Sequence, residues 1–289
     1  MSVRKNMKSW LATARRTVER KSFFHLHLIS DSTGETLINM GRAVAAQYSN
    51  WRAIEHINSM VQSKTQLQAA LDAVDAEPGI VLYTLVDPIS VKLIQDRCSQ
   101  LGVPSLDVMS PATKVFDTYL GDTVSGRSGA QHEMNEDYFS RLEAMQFTMD
   151  HDDGNLPHDI NEADIVLVGI SRTSKTPTSM HLAQRGLKTI NVPLVPGVEL
   201  PPVILNKDGP FVVALIANTE RIIQVRENRL IAYQRELSGD AYVDRAAVQE
   251  ELAWTRRLCR THGWPMIDVS KRSIEETSAA ILALWQNRS

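Results

Sequence analysis

The sequence predicts an α/β protein: a parallel-sheet α/β domain in the N-terminal part, and a second α/β domain built around a phosphate-binding loop. Three observations predict it. Short apolar runs alternate with segments whose apolar residues recur at helical spacing. One run, GIVLYTLV from Gly79 to Val86, is almost wholly apolar, as strands covered on both faces are. Another, Ile165 to Val168, runs into a glycine, a hydroxyl-rich turn and a Lys-Thr pair.

In the first half, Phe24 to Ile29 reads as a strand. Leu37, Met40, Val44 and Tyr48 then fall at helical spacing over Gly34 to Tyr48. A strand at Ala53 to Ile57, a helix from Lys64 to Val74, the Gly79 strand and a helix from Ile89 to Leu101 follow. A strand at Val103 to Val108 and a helix after Pro111 complete the series, which implies a parallel sheet with helices on both faces. Gly121 to Arg127 reads as a loop and Asn135 to Phe147 as a helix. His151 to Asp159 (HDDGNLPHD) is polar, with Gly and Pro, and reads as a linker. Beyond it, strands are expected at Ile165 to Val168, Leu187 to Val192, Phe211 to Ile216 and Pro265 to Val269. Helices are expected at Thr219 to Glu236, Val243 to Thr261 and Ile274 to Trp285. The resulting division is a basic extension (1–22), an N-terminal α/β domain (23–150), a linker (151–160) and a P-loop-kinase-like α/β domain (161–289).

Composition narrows the function. The chain has 289 residues, 43% of them hydrophobic, so it can bury one large or two medium cores. Its net charge of −3 gives no reason to expect a nucleic-acid partner. No apolar stretch reaches the length that spans a bilayer, so no membrane association is expected. Cys98 and Cys259 stand far apart without metal-ligand spacing, which fits a reduced cytoplasmic setting. The first segment is rich in Arg and Lys and lacks an apolar core, so a solvated basic extension is expected rather than a secretory signal.

The chemistry concentrates in VGISRTSKTPTS. Gly169, Lys175 and Thr176 match the spacing of G-x-x-x-x-G-K-[ST], with Ser174 in place of the second glycine. Backbone N–H groups at a helix start, with one lysine, suit a polyphosphate. Lys175 would meet the β-phosphate, Arg172 a terminal phosphate, and the Thr176 hydroxyl a magnesium ion. Two departures count against the pattern. Ser174 lacks glycine's freedom at positive φ, and Pro177 lacks an N–H donor. The strand at Phe211 to Ile216 also ends in Ala217-Asn218, without the acid that usually supplies a second magnesium ligand. The plainer reading is a capped strand-to-helix turn, with Thr176 or Thr178 as the cap.

A second hydroxyl-rich turn, ISDSTGET, ends the first strand at Asp31, Ser32 and Thr33, the edge where open α/β sheets place ligands. Ordinary capping by Thr33 explains it equally well. Asp152 and Asp153 suit a metal or a base, though adjacent acids in such a segment are more often a solvated linker. His25 and His27 share one face of a strand, with no third ligand visible, so no metal site is expected. His181 reads as a surface residue, and Arg221, Arg226, Arg229 and Arg235 as a phosphate-attracting cluster or a solvated helical face.

Taken together, ISDSTGET, NEDYFSRLEAMQF, HDDG, VGISRTSKTPTS with RGLKTINVPLVP, and SIEETSAAIL resemble the bacterial regulatory proteins of pyruvate, phosphate dikinase and phosphoenolpyruvate synthase, from about Phe23 to the C-terminus. The resemblance implies a bifunctional serine/threonine-type kinase. It phosphorylates a threonine of its target using ADP, and removes that phosphate with inorganic phosphate as acceptor, forming pyrophosphate. The ADP loop then maps onto Gly169, Ile170, Ser171, Arg172, Thr173, Ser174, Lys175 and Thr176, with Lys175, Arg172 and Asp31 as the catalytic candidates and Asp152 or Asp153 behind Asp31. ADP and phosphate are implied as substrates and magnesium as the ion. The implied partner is the dikinase or the synthase, with a homodimer compatible. Pro177 is expected to reset the diphosphate so that the β-phosphoryl group of ADP is transferred. A non-catalytic nucleotide sensor and a small-molecule kinase are the rival readings.

Overall fold

The structure, a computed structural model, describes residues 22–132, 134–152, 160–206, 209–232 and 242–288. The chain divides into two compact units, one up to residue 133 and one from Met134 onward.

In the first unit β1 (Ser22–Ser30), β2 (Trp51–Asn58), β3 (Ile80–Thr84) and β4 (Ser105–Asp107) form a sheet in the order β2-β1-β3-β4, every pair parallel. Helices α1 (Glu35–Ala45), α2 (Lys64–Ala76), α3 (Pro88–Leu101) and α4 (Ser110–Leu120) follow the strands in turn. Their starts are chemically marked. Ser63 caps α2 by accepting from the Gln66 N–H, and Asp87 caps α3 ahead of Pro88, whose missing N–H costs nothing in a first turn. Alternating strand residues build two layers. Ile29, Val81 and Tyr83 pack with Leu67, Leu71 and Ile94, while Leu26, Leu28 and Leu82 pack with Leu37.

The second unit repeats this plan. β5 (Ile165–Gly169), β6 (Thr189–Pro193), β7 (Phe211–Ile216) and β8 (Met266–Asp268) form a parallel sheet in the order β6-β5-β7-β8. Its helices are α5 (Glu136–Asp150), α6 (Lys175–Ala183), the short α7 (Pro202–Leu205), α8 (Thr219–Ala232), α9 (Arg245–His262) and α10 (Ile274–Gln286). Every residue of β5 is buried. Ile165 and Leu167 face a core with Leu215, Ile267 and Ile281, and Val166 and Val168 one with Ile190, Val192 and Phe147. Burying each of those four β5 side chains contributes roughly 1.5–3 kcal/mol.

The division of the chain differs from the sequence expectation. Helix α5, expected to close the first domain, groups with the second unit. Phe147 packs in the core with Val166 and Ile190, Thr148 Oγ1 accepts from the Thr189 N–H at 3.1 Å, and Lys188 Nζ pairs with Glu143 at 2.6 Å. Only five of its residues are strongly apolar, and of these Phe147 alone is buried, beside the buried Ala144 and Thr148. Of the expected linker, residues 153–159 lie outside the described residues, as do residues 1–21 of the expected basic extension. Among the described residues no helix is long and apolar enough to cross a membrane.

In both units the first strand lies second in its sheet, with the strand order reversing beside it. The loop leaving its carboxyl end therefore sits at the point where open α/β sheets receive ligands. After β1 that loop begins with Asp31; after β5 it begins with Ile170.

Candidate phosphate-binding site

The turn from β5 to α6 is built from tight contacts. A Cβ at Gly169 would stand 2.5 Å from the Leu215 carbonyl oxygen and 2.9 Å from Thr173 Oγ1, so only hydrogen fits there. Two non-glycine residues then take left-handed backbone, Arg172 at φ 75° and Ser174 at φ 60°. Each such residue costs about 1–2 kcal/mol, and strain of this kind concentrates where a ligand is held. Ser174 thus adopts the conformation its side chain disfavours.

Helix α6 starts at Lys175, and no side chain caps it. The plainer reading, a cap by Thr176 or Thr178, is not what the turn forms. Pro177 falls in the first turn, where an N–H has no partner within the helix, so its absence does not weaken α6. The Ile170 carbonyl accepts both the Thr173 hydroxyl at 3.0 Å and the buried Lys175 ammonium at 3.1 Å. Gly169, Ile170, Ser171, Arg172, Thr173, Ser174, Lys175 and Thr176 are thereby drawn into one turn at the carboxyl end of β5.

Tyr242, which sequence reasoning passed over, and Arg226 brace this turn. The Tyr242 hydroxyl lies 3.1 Å from Ser171 Oγ and accepts from Arg172 Nε at 3.2 Å. Burial works to raise its pKa, but the bonds to Ser171 and Arg172 and the nearby guanidinium charges of Arg172 and Arg226 outweigh it and leave the phenol below its ordinary value. Arg226, expected either in a phosphate-attracting cluster or on a solvated face, is 1% exposed. Both its terminal nitrogens reach the Glu251 carboxylate, at 3.1 and 2.7 Å, and its guanidinium stacks on the Tyr242 ring at 4.4 Å. It also donates to the Tyr242 carbonyl at 2.9 Å and to the Ser171 carbonyl at 3.4 Å. Arg229 and Arg221 share the helix, and Arg235 lies outside the described residues.

An acid reaches the turn from another part of the chain. Helix α5 delivers Asp152 to the loop, where Asp152 Oδ1 accepts from the Thr176 hydroxyl at 3.0 Å and from Asn191 Nδ2 at 2.6 Å. Asn191 Nδ2 also donates to Thr176 Oγ1 at 2.8 Å, and its own Oδ1 is buried without a hydrogen-bond partner. A hydroxyl, a carboxylate and an unpartnered amide oxygen are the donors that a hard divalent cation takes. The sequence signal for Asn191 is a polar residue in the middle of the apolar strand TINVP. Asp153 lies outside the described residues. His181 is half-buried on α6, with a buried Nδ1 that has no partner.

In the first unit Asp31 borders a cavity of about 490 Å³ lined by Ser32, Thr33, Thr84, Ser110 and Arg127, among others. The Asp31 carboxylate accepts from the Val86 N–H at 2.8 Å, and its carbonyl accepts from Gln62 and Ser128, each at 3.0 Å. Thr33 does not cap α1: Gly34 takes the cap position at φ 79°, and Thr33 Oγ1 lies 3.1 Å from His132 Nε2. Asp31 and the Gly169–Thr176 turn therefore belong to different units. Both cysteines are buried, which pushes their thiols up, Cys259 to about 11, so neither supplies a thiolate near neutral pH.

Comparison with known proteins decides the family. The profile of the kinase/pyrophosphorylase family matches residues 26–282. The chain belongs to the kinase/pyrophosphorylase family. Within it, the chain is 55% identical over 265 residues to a protein of Sinorhizobium fredii (strain NBRC 101917 / NGR234), covering 92% of this chain and 97% of that one. It is 56% identical to a Rhizobium meliloti (strain 1021) protein over the same shares, and 57% identical over 264 residues to one from Chelativorans sp. (strain BNC1), 91% and 97% of the two chains. All three carry the provisional name pyruvate, phosphate dikinase regulatory protein. A periplasmic ribose ABC transporter structure from Conexibacter woesei, 13% identical over 92% of this chain and 86% of that one, has a TM-score of 0.23, too low to bear on the fold. The kinase/pyrophosphorylase match spans both units, including the Asp31 and Gly169–Thr176 turns.

Proposed function

We propose that the chain reversibly phosphorylates a threonine of pyruvate, phosphate dikinase. In one direction a threonine Oγ attacks the β-phosphorus of ADP. The bond to the bridging oxygen breaks, AMP leaves and the hydroxyl proton passes to a base. In the other direction an oxygen of inorganic phosphate attacks the phosphothreonine phosphorus, and threonine and pyrophosphate result. The observation that carries this reading is the uncapped, strained turn Gly169–Thr176, with Lys175 and Arg172 on it. Membership of the kinase/pyrophosphorylase family supports it, and the relatives' names favour the dikinase over phosphoenolpyruvate synthase as target.

In-line phosphoryl transfer asks the protein mainly to position groups and neutralise charge. Lys175 is proposed to exchange the Ile170 carbonyl for the β-phosphate, and Arg172 to hold its terminal oxygens. Thr176, Asp152 and Asn191 are the residues proposed to hold magnesium, which when bound would neutralise phosphate charge. Asp31 is proposed on sequence grounds as the acceptor of the threonine proton. Pro177 is proposed to favour ADP over ATP by withholding one phosphate donor.

The test is incubation with purified dikinase and ADP labelled at the β-phosphate. Label is expected on a target threonine, with Lys175→Ala lowering transfer by about 100-fold or more, the scale of removing one electrostatic stabiliser. Added phosphate should then release labelled pyrophosphate. Asp31→Asn should slow the ADP-dependent direction more, because phosphate is itself a nucleophile. Inhibition of the dikinase without label on it would sink the reading and leave a nucleotide sensor.

A further inference from the structure

The sequence offers His25 and His27 on one strand face and no third ligand. The fold brings two further groups to His25, while His27 serves as a neighbour. Residues two apart on a strand share a face, and His27 is in parallel register with His56, so all three imidazoles lie on one side of the β1–β2 pair. Glu77, at the end of α2, reaches the same place. Three atoms meet there: His25 Nδ1 and His56 Nε2 are 2.8 Å apart, and Glu77 Oε2 is 3.8 Å from the first and 3.5 Å from the second.

The point in their plane equidistant from three atoms so spaced lies about 2.0 Å from each, close to the bond length zinc makes to imidazole nitrogen and carboxylate oxygen. We propose that His25, His56 and Glu77 bind a divalent transition-metal ion, with zinc the best fit, on one face of the β1–β2 pair. Two imidazoles and one carboxylate with an open fourth position make a donor set that such ions take in preference to magnesium. Without an ion the two facing nitrogens lie at hydrogen-bond distance, and the cation would take the place of that contact.

The surroundings support the ligands in the way metal sites require. His27 is fully buried, donates from Nε2 to the Glu77 carbonyl at 2.8 Å and stacks on His56 with ring centroids 4.4 Å apart. It fixes both the main chain of Glu77 and the plane of His56. Access is open, since His25, His56 and Glu77 are 28%, 21% and 53% exposed at their side chains. Nothing in phosphoryl transfer uses these residues. A bound ion would tie β1, β2 and the end of α2 together.

The test uses the full-length chain, stripped with a chelator and titrated with Zn²⁺ in excess Mg²⁺, so that oxygen-only sites are filled. One equivalent should bind, raise the melting temperature, and give tetrahedral-type visible absorption when Co²⁺ replaces Zn²⁺. His56→Gln and Glu77→Gln should each weaken binding by about tenfold or more and shrink the thermal shift at the same Zn²⁺ concentration. Glu77 is half exposed at a helix end, so its variant keeps the fold, which circular dichroism checks. No bound equivalent in the native chain, or equal affinity in both variants, overturns the proposal. A melting temperature that does not respond to Zn²⁺ also overturns it and leaves a hydrogen-bonded pair of imidazoles.

Discussion

Ser174 stands where phosphate-binding loops of this pattern carry glycine, yet its backbone is left-handed at φ 60°. The strain is local and removable. Ser174→Gly should raise stability by about 1 kcal/mol in a denaturant titration, because glycine takes that conformation without a Cβ penalty. An unchanged or lower midpoint would show that the serine side chain compensates. Gly169 admits no such exchange, with the Leu215 carbonyl where a Cβ would go. The glycine was legible from spacing. Tyr242 and Glu251 were not, because what marks them is contact with Ser171 and Arg226, and both contacts are made across long stretches of chain.

At the scale of elements, Arg226 on α8 and Glu251 on α9 join two helices behind the loop, and the Arg226 guanidinium also reaches the Ser171 carbonyl. Removing one partner of a buried pair leaves the other charge without compensation, at a cost of about 3–5 kcal/mol. Glu251 is 24% exposed, so Arg226→Leu is expected at or below the low end of that range. It should also weaken ADP binding, measured by calorimetry on the folded variant. Loss of stability with ADP affinity intact would confine Arg226 to the helix pair. Strands and helices came through the sequence well, because burial on both faces and 3.6-residue spacing are local signals. The place of α5 did not, since its Phe147 and Thr148 find their partners in β5 and β6.

For the whole molecule, two units of identical strand order each present a loop from the carboxyl end of their first strand. The proposal assigns the nucleotide to one of them. Amide hydrogen exchange with and without ADP should therefore show new protection over residues 169–178 and none over 30–36. Protection confined to 30–36 would move the nucleotide to the first unit. The sequence by itself determined the α/β class, most of the elements, the Gly169–Thr176 turn and the family resemblance, since each is carried by residues close together along the chain. Tertiary structure alone decided that the chain divides ahead of α5, that Asp152 and Asn191 meet Thr176, that Arg226 is buried, and that His56 and Glu77 complete a cluster with His25. Those facts depend on which strands lie side by side and where helices end. No local pattern records that, because chain folding brings the partners together from distant segments.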